Sequence, residues 1–403
     1  MPHLFSLTIK NYRVLRNVTF QELRPLSVVL GPNGCGKSTL FDVIGFLGDC
    51  LTWGVRKALE PRGRLAEVRS RGEKGPLVIE LKYRESSFGA PKDQQTPLVT
   101  YHLEIDDEGG RPIVTREFLR WRRGQWGKPF NFLDITGGTG SVITGEEPEA
   151  TDTRRPVMLA DATMPAIATL GQLAENPRVA SLLQFIRSWF LSYFIPDRAR
   201  ELPAAGAKEH LSRTGHNLPN VAQYLAEEHP DVLREILNRI QKRIPNLESV
   251  TSERTIDNRL VLRFKDGPFQ DPFLAQHVSD GTLKMLAYLV MLMDPEPPTF
   301  LCIEEPENGL HPKLMQVLVE ELRSFTRGAL SKSRRTAQVL VSSHSAYLVD
   351  ALHADELWVM QRGRDGFAGV DRADRLQGIP EFIREGSTLG SLWFEDQFGK
   401  GNP

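Results

Sequence analysis

The spacing of apolar residues changes along the chain, and each change marks an element. In residues 4–30, Leu7 and Ile9 stand between polar neighbours, as do Val18 and Phe20, and residues 27–30 close the stretch as one apolar run. Alternation by two predicts half-buried strands, and a short unbroken run predicts a buried one. The period then lengthens: Leu40, Phe41, Ile44, Leu47 and Leu51 recur at helical spacing,. Residues 77–83 and 99–105 alternate again, and 118–126 predicts a hairpin turning near Gly124,. Residues 136–156, TGGTGSVITGEEPEATDTRRP, read as a loop or linker,.

Residues 157–245 predict mainly helices. Leu182, Leu183, Phe185, Ile186, Trp189 and Phe190 form one apolar face, and Val232, Leu233, Ile236, Leu237 and Ile240 another,. Pro196, Pro203 and Pro219 break the region into pieces. No sustained heptads and no internal repeats occur, so no long coiled coil is expected. From residue 255 strands (260–264, 300–303, 339–342, 357–360) alternate with helices (282–293, 314–325), an order that predicts a largely parallel sheet,. The expected divisions are an N-terminal lobe (1–60), a β-rich subdomain with linker (61–156), a helical insertion (157–250) and a C-terminal lobe (251–403).

Composition adds limits. The 403 residues are 40% hydrophobic and 25% charged, ordinary values for a globular chain with a sizeable core,. A net charge of −1 gives no global case for nucleic acid,. Local basic clusters are Arg120, Trp121, Arg122, Arg123, Trp126 and Lys128; Arg62, Arg64, Arg69, Arg71 and Lys74; and Lys332, Arg334 and Arg335. The first interleaves cations with aromatics, as single-strand binders do, although a hairpin with one charged face has the same pattern. Cys35, Cys50 and Cys302 form no CxxC pair. They argue against a zinc site and fit a reducing cytoplasm. No signal design and no run of ~18 apolar residues is present, so no membrane association is expected.

Four short segments carry candidate chemistry. Residues 31–39 read GPNGCGKST, between a strand and a helix. Glycines let successive backbone N–H groups face phosphate oxygens, and the helix start adds its dipole. Asn33, Gly34, Cys35, Gly36, Lys37, Ser38 and Thr39 are the candidate nucleotide contacts. Lys37 reaches the β- and γ-phosphates and Ser38 ligates Mg²⁺. At the end of an apolar strand stand Glu304 and Glu305. The first is the candidate Mg²⁺ ligand through water, the second the group that orients or deprotonates the attacking water. Ser279 and Gly281 open an apolar helix, offering a hydroxyl and bare N–H groups, although Ser before a helix is also an ordinary cap,. His344 follows a strand and can donate to a γ-phosphate or to water,.

In this order the segments resemble the ABC ATPase superfamily, in its SMC/RecF/OLD-like branch: Walker A at 31–39, signature at 278–282, Walker B at 301–305, switch histidine at His344. The opening IKNYR and the segment EEPENGLHP are similar to that branch. YFIPDRAR, GHNLPNV and the tail 389–393 resemble bacterial predicted ATPases (AAA family) linked to anti-phage defence. The resemblance implies an α/β fold: an ABC-type P-loop ATPase head split by a β-rich and a helical insertion. It implies ATP and Mg²⁺, hydrolysis, and Arg13 near the nucleotide. It also implies a homodimer in which Ser279 and Gly281 act across two sandwiched ATP molecules. A separate nuclease or TOPRIM-like effector, with DNA as a further partner, completes the expectation. RecF-like repair on DNA and a non-catalytic ATP-gated scaffold are the alternatives. No Q-loop glutamine stands out beyond Gln94 and Gln95.

Overall fold

The computed structural model describes residues 2–86, 88, 91, 95–121, 130–145, 154–244, 246–330 and 335–399. The chain forms two compact units: Met1–Trp189 with Ala354–Gly386 and Glu395–Pro403, and Phe190–His353 with Ser387–Phe394.

The first unit begins with β1 (His3–Tyr12), β2 (Leu15–Gln21), β3 (Leu26–Leu30), α1 (Lys37–Leu59), α2 (Leu65–Val68) and β4 (Leu77–Arg84). It continues with β5 (Val99–Glu108), β6 (Arg111–Trp121), β7 (Phe130–Thr136), β8 (Thr139–Ile143), β9 (Arg154–Met158), α3 (Ala166–Leu170) and α4 (Pro177–Arg187). The second holds β10 (Trp189–Ser192), which starts at the boundary, then α5 (Pro196–Ala199), α6 (Leu218–Glu228), α7 (Pro230–Gln241), β11 (Leu247–Arg254), β12 (Leu260–Asp266) and β13 (Phe273–Leu274). After these come α8 (Asp280–Leu292), β14 (Phe300–Glu304), α9 (Pro312–Thr326), β15 (Gln338–Ser343) and α10 (Ala346–Val349). The first unit resumes with β16 (Leu357–Arg362), β17 (Ala368–Arg372) and α11 (Ile379–Arg384), and α12 (Leu389–Phe394) returns to the second.

An antiparallel sheet in the order β2-β1-β4-β5-β6-β7-β8-β9 dominates the first unit. β4 pairs with β1, so this sheet runs across the division expected at residue 60. β3 is buried at every position, lies parallel to β16, and β17 pairs antiparallel beyond. In the second unit β14 and β15 are parallel. Its β12 sits elsewhere, between β11 and β13 in a small antiparallel sheet, and not in the parallel set its position suggested. The partner β11 is rich in charge and hydroxyls (LESVTSER), which hid the pairing from an apolar-pattern reading.

Two other expectations change. Residues 136–156 are not simply linker: Thr136 pairs with Thr139 across Gly137 and Gly138, with φ of 54° and 80°. Two positive-φ residues make the primed turn that matches strand twist, and glycine adopts it without strain. Trp189 and Phe190 do not extend the α4 face. The helix closes with Ser188 N donating to Gln184 O at 3.0 Å, and the aromatic pair enters β10. The hairpin turn expected at Gly124, and Arg122, Arg123, Trp126, Lys128, Gln94, Lys332 and Arg334, lie outside the described residues. The cluster around Arg62 disperses into ion pairs: Arg62 holds Asp42 and Asp49, and Arg69 holds Asp106. Among the described residues the longest helix is α1, 23 residues, and no helix is long and apolar enough to cross a membrane.

α1 carries the loop 31–36 at its start and is anchored along its length. At Gly54 (φ 81°) it kinks, and Val55 N donates to Thr163 O at 2.8 Å. The segment supplying Thr163 leads into α3, which has no side-chain cap of its own. Glu117 of β6 caps it from a distance: its carboxyl is fully buried and accepts from Ile167 N at 3.0 Å, from Ala166 N, and from Tyr101 Oη at 3.1 Å. Burial outweighs these donors and raises the carboxyl from 4.5 to about 7,. The unfolded carboxyl therefore releases its proton first as pH rises. Stability from this group is fully present below the unfolded value and falls as pH climbs through about 7,. Urea titrations from pH 5 to 8 should show Glu117→Gln losing this component of the slope; an unchanged slope would refute the assignment.

Candidate functional site

β3 delivers the chain to a loop that needs glycine for two distinct reasons. A Cβ on Gly31 would stand 2.2 Å from Met360 O of β16 and 2.7 Å from Cys35 Sγ, so close approach excludes any side chain. Gly36 has φ of 120°, and its Cβ would meet Val14 Cγ2 at 3.0 Å. Gly34, at φ 76°, has open space around it. Asn33, Gly34 and Ser38 are exposed and Thr39 is half-buried. Cys35 is a buried filler, its thiol pushed up by burial. Lys37 is buried, and its Nζ donates to Gly31 O at 2.7 Å and Pro32 O at 3.2 Å, so the ammonium lies over its own loop. The helix behind begins without a side-chain cap. Its first N–H groups, the loop amides and an ammonium form a donor set that fits a polyphosphate. The Ser38 hydroxyl adds a hard oxygen of the kind Mg²⁺ takes.

Arg13 occupies a tight turn (φ 48°), with its N–H donated to Val68 O at 2.6 Å. Its guanidinium pairs with Asp42 at 3.0 Å. Asp42 also accepts from Tyr12 Oη and Arg62 Nε, both at 2.7 Å. Asp42 stands one helical turn beyond Ser38, on the same face of α1. The structure thus brings Arg13 to the helix that opens with the phosphate-type loop, through a carboxylate that sequence reading did not single out.

In the second unit, β14 ends in the two candidate carboxylates. Glu304 is half-buried and in register with Ser342 of β15. Glu305 adopts φ of 43°, a left-handed conformation that costs a non-glycine residue about 1 kcal/mol,. Two hydrogen bonds hold it there: its N–H reaches Ser342 O at 3.1 Å and Ser342 Oγ at 3.2 Å. Asn308 Nδ2 donates to Glu305 Oε2 at 3.0 Å, and His344 Nδ1 lies 3.6 Å from Oε1. Glu307 is buried beneath. Its Oε1 accepts from Ser343 Oγ at 2.8 Å and His344 N at 2.7 Å, fixing the histidine's backbone. Lys284 of α8 is buried nearby; burial pushes its ammonium down, opposed by the charges of Glu307, Asp280 and Glu305.

Ser279 and Gly281 start α8. Ser279 Oγ accepts from Thr282 N at 3.3 Å, so the hydroxyl is the helix cap and is also exposed. A Cβ on Gly281 would lie 3.2 Å from Gly309 O, in the turn that follows Glu305. The helix start and the acidic turn therefore pack closely, and His344 joins them through Glu305 and Glu307. Arg200 locks this corner: it donates to Val278 O at 2.8 Å and pairs with Asp280 at 2.5 Å and Asp197 at 2.8 Å. Sequence reading missed Glu307, Lys284 and Arg200 as separate roles, though two lie in segments it marked (EEPE, YFIPDRAR). Arg200→Ala should raise amide hydrogen exchange across residues 278–283 about tenfold while leaving β14 protected. Unchanged exchange there would show that Arg200 does not hold the turn.

A family model described as "AAA domain, putative AbiEii toxin, Type IV TA system" matches residues 182–350. A second AAA-domain model matches residues 6–132. No curated protein matches the chain. Among solved structures, the SmcHead bound to the C-winged helix domain of ScpA is similar at a TM-score of 0.54 and 14% identity, over 92% of this chain and 97% of that one. The Smc head domain with an extended coiled coil bound to the C-terminal domain of ScpA, derived from Pyrococcus furiosus, gives 0.49 and 13%, over 95% and 100%. The SMC head domain from Thermotoga maritima gives 0.43 and 13%, over 92% and 98%. The fold correspondence rests on the first of these. The chain is a mixed α/β protein with the fold of an SMC head, and two of its segments, 6–132 and 182–350, match AAA-domain models.

Proposed function

We propose that this chain binds ATP with Mg²⁺, hydrolyses it, and uses the nucleotide state to pair two copies and control a separate effector. The observation that carries hydrolysis is Glu305, a carboxylate held in a strained conformation by two Ser342 hydrogen bonds with His344 at 3.6 Å. Such strain persists where the surroundings over-determine it, often at functional sites.

The roles follow from the donor sets. The amides of residues 33–39 and Lys37 bind phosphate oxygens, and Lys37 opposes the charge that develops there. Ser38 and Glu304 are each candidates to ligate Mg²⁺, which would supply charge neutralisation when bound. Glu305 orients the attacking water and accepts its proton. His344 donates a hydrogen bond at the same place. Arg13, set on α1 by Asp42, adds positive charge beside Ser38. Ser279 and Gly281, exposed and half-exposed, are free to meet the nucleotide of a second copy in a two-fold pair,. The matched AAA domain, named for a putative toxin of a type IV TA system, favours an effector-linked role over direct DNA repair; anti-phage defence is the setting we propose.

Glu305→Gln tests the assignment without removing the side chain. ATP turnover should fall at least about 100-fold while a fluorescent ATP analogue still binds. Turnover retained in this variant would remove Glu305 from the chemistry. The same variant with ATP should elute as a dimer in gel filtration; a monomer with ATP bound at micromolar protein would defeat the pairing.

A further inference from the structure

The tail segment 389–393 is distinctive in sequence, yet it supplies none of the groups at the loop 31–36 or at Glu305. The chain leaves the first unit at residue 387, packs α12 on the second, and returns to the first at residue 395. What α12 packs against is α10, the single turn that follows His344.

A helix of one turn has too few internal hydrogen bonds to hold its own direction, so its neighbours set it. Ser345 caps α10 by accepting from Leu348 N at 3.4 Å, and its hydroxyl reaches Met315 Sδ of α9 at 3.4 Å. Arg323 of α9 donates to Ala351 O, just beyond α10, at 2.7 Å. α12 meets α10 backbone to backbone. Gly390 N donates to Asp350 Oδ1 at 2.6 Å, and a Cβ on Gly390 would stand 2.6 Å from Ala346 O and 2.5 Å from Asp350 Oδ1. Leu389, Leu392 and Trp393 of α12 are buried, as are Leu348 and Val349 of α10. His344 itself is exposed, and Glu307 Oε1 accepts from its N–H at 2.7 Å. The imidazole therefore hangs from a short segment that Glu307 fixes on one side and α10 on the other.

We propose that α12 positions His344. Asp350 and Gly390 are positioning residues: they set the direction of α10 and, through it, the reach of the imidazole to Glu305, whose Oε1 lies 3.6 Å from Nδ1. The inference rests on the reading of His344 as a donor at the hydrolytic site, and it gives the tail segment a part in that step.

ATP turnover by the full chain tests it, in a double-mutant cycle of Asp350→Ala and His344→Ala with Asp350→Asn and Gly390→Ala beside them. Asp350 is exposed, so its substitution leaves folding intact,. Asp350→Ala and Gly390→Ala should each lower kcat about tenfold, with KM and the affinity for a fluorescent ATP analogue unchanged. Asp350→Asn, which keeps the Oδ1 acceptor, should retain turnover. In a His344→Ala background Asp350→Ala should cost nothing further, because both act through one ring. The proposal is overturned if Asp350→Ala or Gly390→Ala hydrolyses ATP like wild type, or if Asp350→Asn fails like Asp350→Ala. It is overturned equally if the loss is the same with and without His344, or if analogue binding weakens in parallel. A wild-type chain without turnover, or His344→Ala with full turnover, refutes the reading on which the inference rests, and the positioning with it.

Discussion

The constraint on which the first unit turns is the approach of backbone to backbone at Gly31. β3 and β16 run parallel, and the loop leaves β3 so close to Met360 O that even a methyl group has no room. Gly36 adds a different demand on the far side, a φ of 120° that suits glycine, with Val14 and Ala368 of β17 close by. The loop is therefore clamped between strands, and its amides are oriented before any anion arrives. Pre-organised donors of this kind cost little reorganisation when charge appears. The uncapped start of α1 and the Lys37 ammonium complete a surface whose chemistry is set by what cannot fit there.

The second unit solves the opposite problem, which is to keep negative charge together. Glu305 and Glu307 sit two residues apart, near the buried Lys284 and within reach of His344. Carboxylates this close repel unless donors compensate. Ser343, the His344 amide and Asn308 are those donors. Arg200 does similar work at the start of α8, drawing together a carbonyl and a carboxylate that would otherwise leave the turn loose.

Local signals made much of this legible in the sequence. A glycine loop between strand and helix, two carboxylates closing an apolar run, and a serine opening an apolar helix are short-range patterns, and each landed on the element expected. What stayed hidden depends on distant partners. Glu117 looks like any strand glutamate until α3 is found above it. Arg200 looks like a surface arginine until Asp280 and the Val278 carbonyl meet it. The Gly137-Gly138 turn was readable, since two glycines between strand formers make a tight hairpin, but the polar residues after it masked β8,. At Trp189 the same apolar spacing suits either helix or strand, and only the closure of α4 at Ser188 decides.

The pairing of β3 with β16 has a consequence for how the chain is made. The strand that leads into residues 31–36 emerges long before β16, which seats Gly31. Contacts between such distant segments are slow to form because a long loop must close first. Until then the nascent chain holds an apolar β3 without its sheet neighbours, a species a chaperone would recognise,. The glycine loop is translated long before the strand that gives it its shape.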